Sequence, residues 1–289
     1  MSEYVIITDT SADIPASVLD KGQIHLIPMV YQLNGEEHPH KDPGSWDSKA
    51  FYDQLRNGGT GSTSQISPAV YTDYFEPFLK EGKDILYISL SGGLTSTWQS
   101  SHLAATDLME EYPERKISCV DSLAATGGQG ILVILAAQNQ EKGMSLEENT
   151  AWLEENRLHI CHWFTVNDLN YLKKGGRVSA ATAFVGTMLS IKPIMHTSDE
   201  GKLTVVGKAR GRKSSLNTLI DTVGRLGIDL QEQTMFICQA DCRAEAEAVA
   251  AELKRRYGVK EVYINYIGPV IGSHTGPDTM GLFFVGTER

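Results

Sequence analysis

Three short stretches gather hydroxyl groups beside glycine. The first, TSQISP from Thr63 to Pro68, follows the run RNGGTGS and precedes a helix beginning at the proline. Ser67 is placed to cap that helix, because a serine oxygen accepts from the first free backbone amides and proline suits the first helical position. Thr63, Ser64 and Gln65 remain as uncharged donors on a loop that the glycines allow close to a ligand. The second stretch, SLSGGLTSTWQS from Ser89 to Ser100, passes from a strand through paired glycines into a helix. Ser91, Thr95 and Ser96 thus collect with free amides where helix N-termini favour anions, although helix capping alone accounts for them equally well. The third, GPVIGSHTGPDTMG from Gly268 to Gly281, reads as a glycine-rich connection between two strands, with His274 and Thr275 at its middle. Taken in isolation, His274 reads as a turn histidine satisfied by backbone.

Other chemistries find less support. No Lys-Ser/Thr pair follows the glycines of GGTGSTS, as a P-loop requires. TDTSAD stands where a GxGxxG fingerprint would open the first strand-helix unit, so a resident nucleotide is disfavoured. GSHTG has the glycine frame of a nucleophile elbow but carries His274 at the nucleophile position. HPHKD sets His38 and His40 two residues apart beside a proline; it reads as an exposed loop, and no second cluster supports a metal. Cys119, Cys161, Cys238 and Cys242 lack a zinc-type CxxC spacing and read as reduced thiols, three of them in the core. A formal net charge of -10 argues against nucleic acid or an anionic membrane surface as a general partner. No apolar run approaches the roughly 20 residues of a membrane helix. MSEYVIITD enters a strand without signal-peptide organisation, so a cytoplasmic protein is expected.

The elements that must position these groups alternate between strand and helix almost throughout. YVIIT, DILYISLS, KISCV, HICHWFTV, TMFICQA, EVYINYIG and MGLFFVG read as strands, and KPIMHT and KLTVVGKA as strands either side of an SDEG turn. Helices are expected over Ser48 to Arg56, Pro68 to Lys80, and several segments of about 10 to 18 residues between strands, SAATAFVGTMLSI among them. The alternation predicts an α/β fold with largely parallel sheets. At 289 residues the chain exceeds the usual single-core size. Two α/β domains are therefore expected, 1–160 with the hydroxyl-rich loops and 161–289, with a ligand cleft between them.

In order along the chain, TDTSADIP, TSQISP, SGGLTSTWQS, VDS, DLNYLKKGGRVS, IKPI, GKAR and IGPVIGSHTGP resemble the DegV family, from the first strand to the last. That resemblance implies two α/β domains with a long-chain fatty acid buried between them and no cofactor. It also implies, as in some members, service as the fatty-acid-binding subunit of a bacterial fatty acid kinase, without catalysis by the chain itself. Segment by segment, the carboxylate contacts fall on Thr63 and Thr95, with His274 nearby; Ser64, Ser91, Ser96 and Thr275 complete the candidate head site. Against the family's usual TSQPS and SSGLSGTYQS, this chain has Ile66, Gly92, Thr95, Ser96 and Trp98, and near the end Met280 stands in GPDTMG where GPGALG is commoner. Physically, a tail of about twelve methylenes at roughly 0.8 kcal/mol each supplies the affinity, and hydroxyls suffice to hold the head. Phe184, Met188 and Ile191, spaced along one helical face, and Phe283 or Phe284 are candidate tail-lining residues, with ordinary core packing as the competing reading. Lys173, Lys174, Arg177, Lys208, Arg210, Arg212 and Lys213 form two basic clusters that could face an acidic surface of the kinase or its ATP. The alternative is a stand-alone hydrolase or acyltransferase with His274 as base and Thr95 or Ser91 as nucleophile.

Overall fold

The computed structural model describes residues 3–19, 24–178 and 190–289. The fold is α/β, with three sheets among the described residues. The first sheet has the order β2-β1-β6-β7, made of Ile24–Ile27 (β2), Tyr4–Asp9 (β1), Asp84–Ser89 (β6) and Ile117–Asp121 (β7). All its pairings are parallel. β1 and β6 are buried at every position, as expected of strands covered on both faces. Helices α3 (Pro68–Lys80) and α4 (Thr97–Glu111) cover one side, with Phe75, Tyr71 and Tyr87 in the core beneath them. Helices α5 (Gly127–Glu141) and α6 (Leu146–Asn156) cover the other, the latter opened by a complete Ser145–Glu148 capping box.

A small antiparallel sheet has the order β4-β3-β5, from Glu36–His40, Met29–Leu33 and Gly61–Ser64. Thr63 and Ser64 therefore lie on an edge strand rather than a loop, Thr63 opposite Tyr31. Ser67 does stand at the start of α3, with Pro68 following, but its side chain makes no capping bond. HPH is strand β4 and not an exposed loop: His38 stacks on Tyr31, and His40 is buried against Trp46. Helix α1 (Ala16–Leu19) leads towards β2, and α2 (Ser48–Arg56) packs Phe51, Tyr52 and Leu55 into the core.

The third sheet has the order β10-β9-β8-β13-β11-β12. Its strands are Leu203–Arg210 (β10), Ile191–Thr197 (β9), Ile160–Thr165 (β8), Met280–Val285 (β13), Thr234–Gln239 (β11) and Glu261–Tyr266 (β12). Only β11 and β12 pair in parallel, so the expectation of largely parallel sheets fails here. The physical reason is connectivity: β9 and β10 are joined by a tight turn, and β13 returns between β8 and β11, so each meets its neighbours antiparallel. Helices α8 (Arg212–Leu226) and α9 (Arg243–Tyr257) cover the outer face. Short α7 (Asn170–Lys174) follows β8, and α10 (Pro269–Thr275) lies between β12 and β13. The glycine-rich stretch around His274 is thus a helix and not an open connection. Two cysteines, Cys161 and Cys238, are buried, while Cys119 and Cys242 are half-buried; all four are free thiols. Phe184 and Met188 lie outside the described residues.

Candidate functional site

A cavity of about 480 Å³ lies at the carboxyl ends of β6 and β7, the usual position for a ligand in a parallel sheet. Its walls come from the loops before α4 and α5, the end of β5, helix α10, and the β8 and β13 strands of the large sheet. At one end the polar groups converge. Thr63 Oγ1 stands 2.7 Å from His274 Nε2. Burial, and then the Arg177 charge, push the His274 imidazole down to about 4, so the ring is neutral at pH 7. Its Nδ1 is buried without a partner among the described residues and lies against the Gly175 backbone, where an added Cβ would strike it, so an α-hydrogen faces that nitrogen. A proton on Nδ1 would point at this C–H, whereas a bare lone pair there is tolerated. We therefore assign the proton to Nε2. His274 then donates to Thr63, and the Thr63 hydroxyl is left to donate into the cavity.

Thr95 also lies on the cavity wall. Its oxygen accepts from the Thr97 amide at 3.3 Å and lies 2.8 Å from the Thr97 hydroxyl. The N-cap residue of α4 is Ser96, which makes no side-chain capping bond, so the Thr95 contact is a local turn ahead of the helix. Gly92 explains one departure: a Cβ there would lie 2.6 Å from the Asp121 carboxylate, whose other oxygen accepts from the Gly92 amide at 3.0 Å. Arg177 also lines the cavity, its Nε donating to the Leu94 carbonyl at 3.3 Å and its Nη1 to that of Gly175 at 2.5 Å. The wall also carries the apolar side chains of Met29, Leu90, Phe164, Leu172 and Phe283.

The DegV family model, described as an uncharacterised protein of the DegV family, matches residues 3–287. The chain belongs to the DegV family. A DegV domain-containing protein of Clostridium perfringens is 41% identical over 289 residues, covering 100% of this chain and 99% of that one. Among solved structures, a DegV family protein from Thermus thermophilus, described for its fatty acid binding, superposes with a TM-score of 0.86 at 30% identity, covering 99% of this chain and 100% of that one. DegV of Bacillus subtilis, a fatty acid binding protein, gives 0.85 at 27% identity over 99% and 100% of the two chains.

In this DegV chain the cavity wall brings together Thr63, Ser64, Thr95, Ser96, His274, Thr275 and Phe283. Ser91 is not among them. It is buried, donates to the Gly201 carbonyl at 2.8 Å and accepts from the Gly93 amide at 3.1 Å, joining its loop to the turn between β9 and β10. Ile191 opens strand β9 away from the cavity, and Phe284 points to the opposite face of β13, into the core under α8 and α9. Arg177, expected at a partner contact, lines the cavity. Arg212 is tied to Glu245 of α9, with Nη2 2.8 Å and Nε 3.0 Å from the carboxylate, so an internal acid offsets its charge at the start of α8. Lys208 and Arg210 are exposed. Sequence reasoning missed His162, Thr126 and Thr197, which also line the wall. The two-residue period of HICHWFTV, which sets His162 and Phe164 on one face, was the available signal.

Proposed function

We propose that this chain binds a long-chain fatty acid in the cavity and presents its carboxylate, in the cytoplasm, to a separate ATP-dependent kinase that forms the acyl phosphate. The observation that carries the reading is the make-up of the cavity wall: hydroxyls, the neutral His274 imidazole and the Arg177 guanidinium clustered together, with the apolar side chains of Met29, Leu90, Phe164, Leu172 and Phe283 on the same wall. The fatty acid binding described for the Thermus thermophilus and Bacillus subtilis relatives supports it. The carboxylate takes hydrogen bonds from Thr63 and Thr95, each contributing about 1.5 to 3 kcal/mol towards the desolvation of the charge. The tail supplies most of the affinity through burial. The chain itself acts as carrier. The Thr63–His274 pair has the spacing of a nucleophile and base, but the assigned tautomer makes the imidazole a donor to Thr63, and among the described residues no third group orients Nδ1. Neither Ser91 nor Thr95 is hydrogen-bonded to His274.

Organic extraction of the purified protein followed by mass spectrometry tests this. Recovery of an acyl chain in stoichiometric amount is expected. If no acyl chain is recovered and added fatty acid does not bind, the carrier reading fails.

A further inference from the structure

The strand pair β8 and β13 grades the cavity wall from its polar end to its far end. From the last turn of α10 the chain passes through Thr279 to Gly281 and Phe283, all on the wall. At about 3.3 Å per residue, Phe283 lies some 13 Å along the strand from Thr279. The neighbouring strand is in register: Phe164 stands opposite Gly281, and His162 opposite Phe283. The next pair on this face, Val285 and Ile160, is no longer on the wall; both pack with the core around α5. Along this strand pair, the wall formed by the described residues therefore ends at the level of His162 and Phe283.

Phe283 is held there without freedom to swing. Its ring folds back over Gly281, where an added Cβ would lie 2.7 Å from Cζ, and reaches the first residue of α5, where a Cβ on Gly127 would lie 2.8 Å from Cδ2. The ring meets the His162 imidazole edge to face, with centroids 5.5 Å apart. His162 is fixed in turn: Nδ1 donates to the Ile160 carbonyl at 2.8 Å, and Nε2 abuts the Gly128 backbone. Both side chains are buried. Two glycines thus make room for one aromatic ring laid across the end of the tunnel.

We propose that Phe283, backed by His162, is the floor that sets the longest acyl chain this protein accepts; the inference rests on the fatty-acid reading of the cavity. A chain whose terminal methyl meets the ring gains nothing from further methylenes, since neither the ring nor the strand behind it can retreat. Affinities of the delipidated protein for laurate, myristate, palmitate, stearate, arachidate and behenate test it. In the wild type each added methylene tightens binding about fourfold while room remains, and the gain stops abruptly at one homologue. In Phe283→Leu and Phe283→Met that breakpoint moves to a longer acid, while the shorter acids bind within about threefold of wild type and so report an intact head site. Two substitutions are used so that poor folding of one leaves the other to decide. An unmoved breakpoint in a variant that binds short acids normally overturns the proposal. Absence of binding of any acid to the wild type is a different result, which removes the fatty-acid reading together with this inference.

Discussion

At the scale of single residues, the head site is a problem of hydroxyl direction. Thr63 is useful to an anion only if its proton points into the cavity, and the tautomer assigned to His274, with its proton on Nε2, leaves the Thr63 proton free to do so. Thr63→Val removes both the donor to the ligand and the acceptor for His274, and should weaken fatty-acid binding by about 1 to 3 kcal/mol. Thr63→Ser keeps both and should restore it, as titration with a fluorescent fatty acid would report. Thr95→Val should weaken binding similarly and in addition slightly lower thermal stability, because Thr95 also accepts the Thr97 amide in a local turn just ahead of α4. Equal affinity in all three variants would place the carboxylate elsewhere. In the sequence these residues were legible only as hydroxyls clustered beside glycine, a pattern that helix capping explains equally well. Their partners were not. Ser91 and Thr95 belong to one loop four residues apart, and only the approach of the Gly201 turn makes the first a structural tie and leaves the second on the cavity.

At the scale of elements, strong hydrophobic periodicity was a good guide and weak local signals were not. Helices Ser48–Arg56 and Pro68–Lys80 have the bounds their patterns imply. The strand Gly61–Ser64 has no β-branched or aromatic run to announce it, only the pairing offered by β3, and α10 is a helix despite its glycines because it packs between β5, β3 and α7. A bulge in β10 is equally silent in sequence. Val205 pairs with Met195 and Gly207 with Ile194, so Val206 is an extra residue that reverses the alternation. Leu203 and Val205 pack with Met195 and Leu172, and past the bulge Lys208 and Arg210, opposite Pro193 and Ile191, take that same side of the sheet. Arg212, by contrast, turns towards α9 and Glu245. The bulge thus places two exposed cations on the side of the sheet that carries α7, whose last turn bears Lys173 and Lys174. Under the carrier reading this is the surface offered to an acidic face of the kinase. Lys208→Glu combined with Arg210→Glu should leave lipid content unchanged and reduce acyl-phosphate formation with the cognate kinase, and wild-type association should weaken as salt is raised. Undiminished phosphorylation of the double variant would refute the docking role and leave the cavity untouched.

At the scale of the whole molecule, distant parts of the chain meet on one buried carboxyl group. Asp13, in a left-handed conformation after the 3₁₀ turn Thr10–Ala12, accepts from the Thr126 hydroxyl at 2.5 Å and from the Gly268 amide at 3.0 Å, and its carbonyl accepts from Asn265 at 2.5 Å. It thereby fixes the start of α5 and the start of α10, both of which contribute to the cavity wall. TDTSAD in the sequence announced a polar turn after β1, but not that its last carboxyl would be enclosed by residues more than 100 positions away. Burial pushes Asp13 up to about 7, with the Asp9 charge adding to the rise and the Thr126 and Gly268 hydrogen bonds opposing it. The other titratable groups around it are Tyr52, Cys238 and, in the adjoining small cavity, His40. In the unfolded chain the same carboxyl titrates near 4. Between these values the native state binds a proton that the unfolded chain has released, so this group's contribution to stability is fully present below pH 4 and is lost as pH rises through about 7. The buried neutral histidines His40, His162 and His274 work in the opposite direction, because each must take up a proton on unfolding below its ordinary value. The telling quantity is therefore a difference. Asp13→Asn removes one titration and leaves the histidines, so denaturant midpoints measured from pH 5 to 8 (a range about the shifted value) should show the variant gaining stability relative to wild type as pH rises and flattening above pH 7. Parallel pH profiles for the two proteins would show that Asp13 ionises in the fold as freely as in the unfolded chain, and that the tie to Thr126 and Gly268 carries no proton-linked cost.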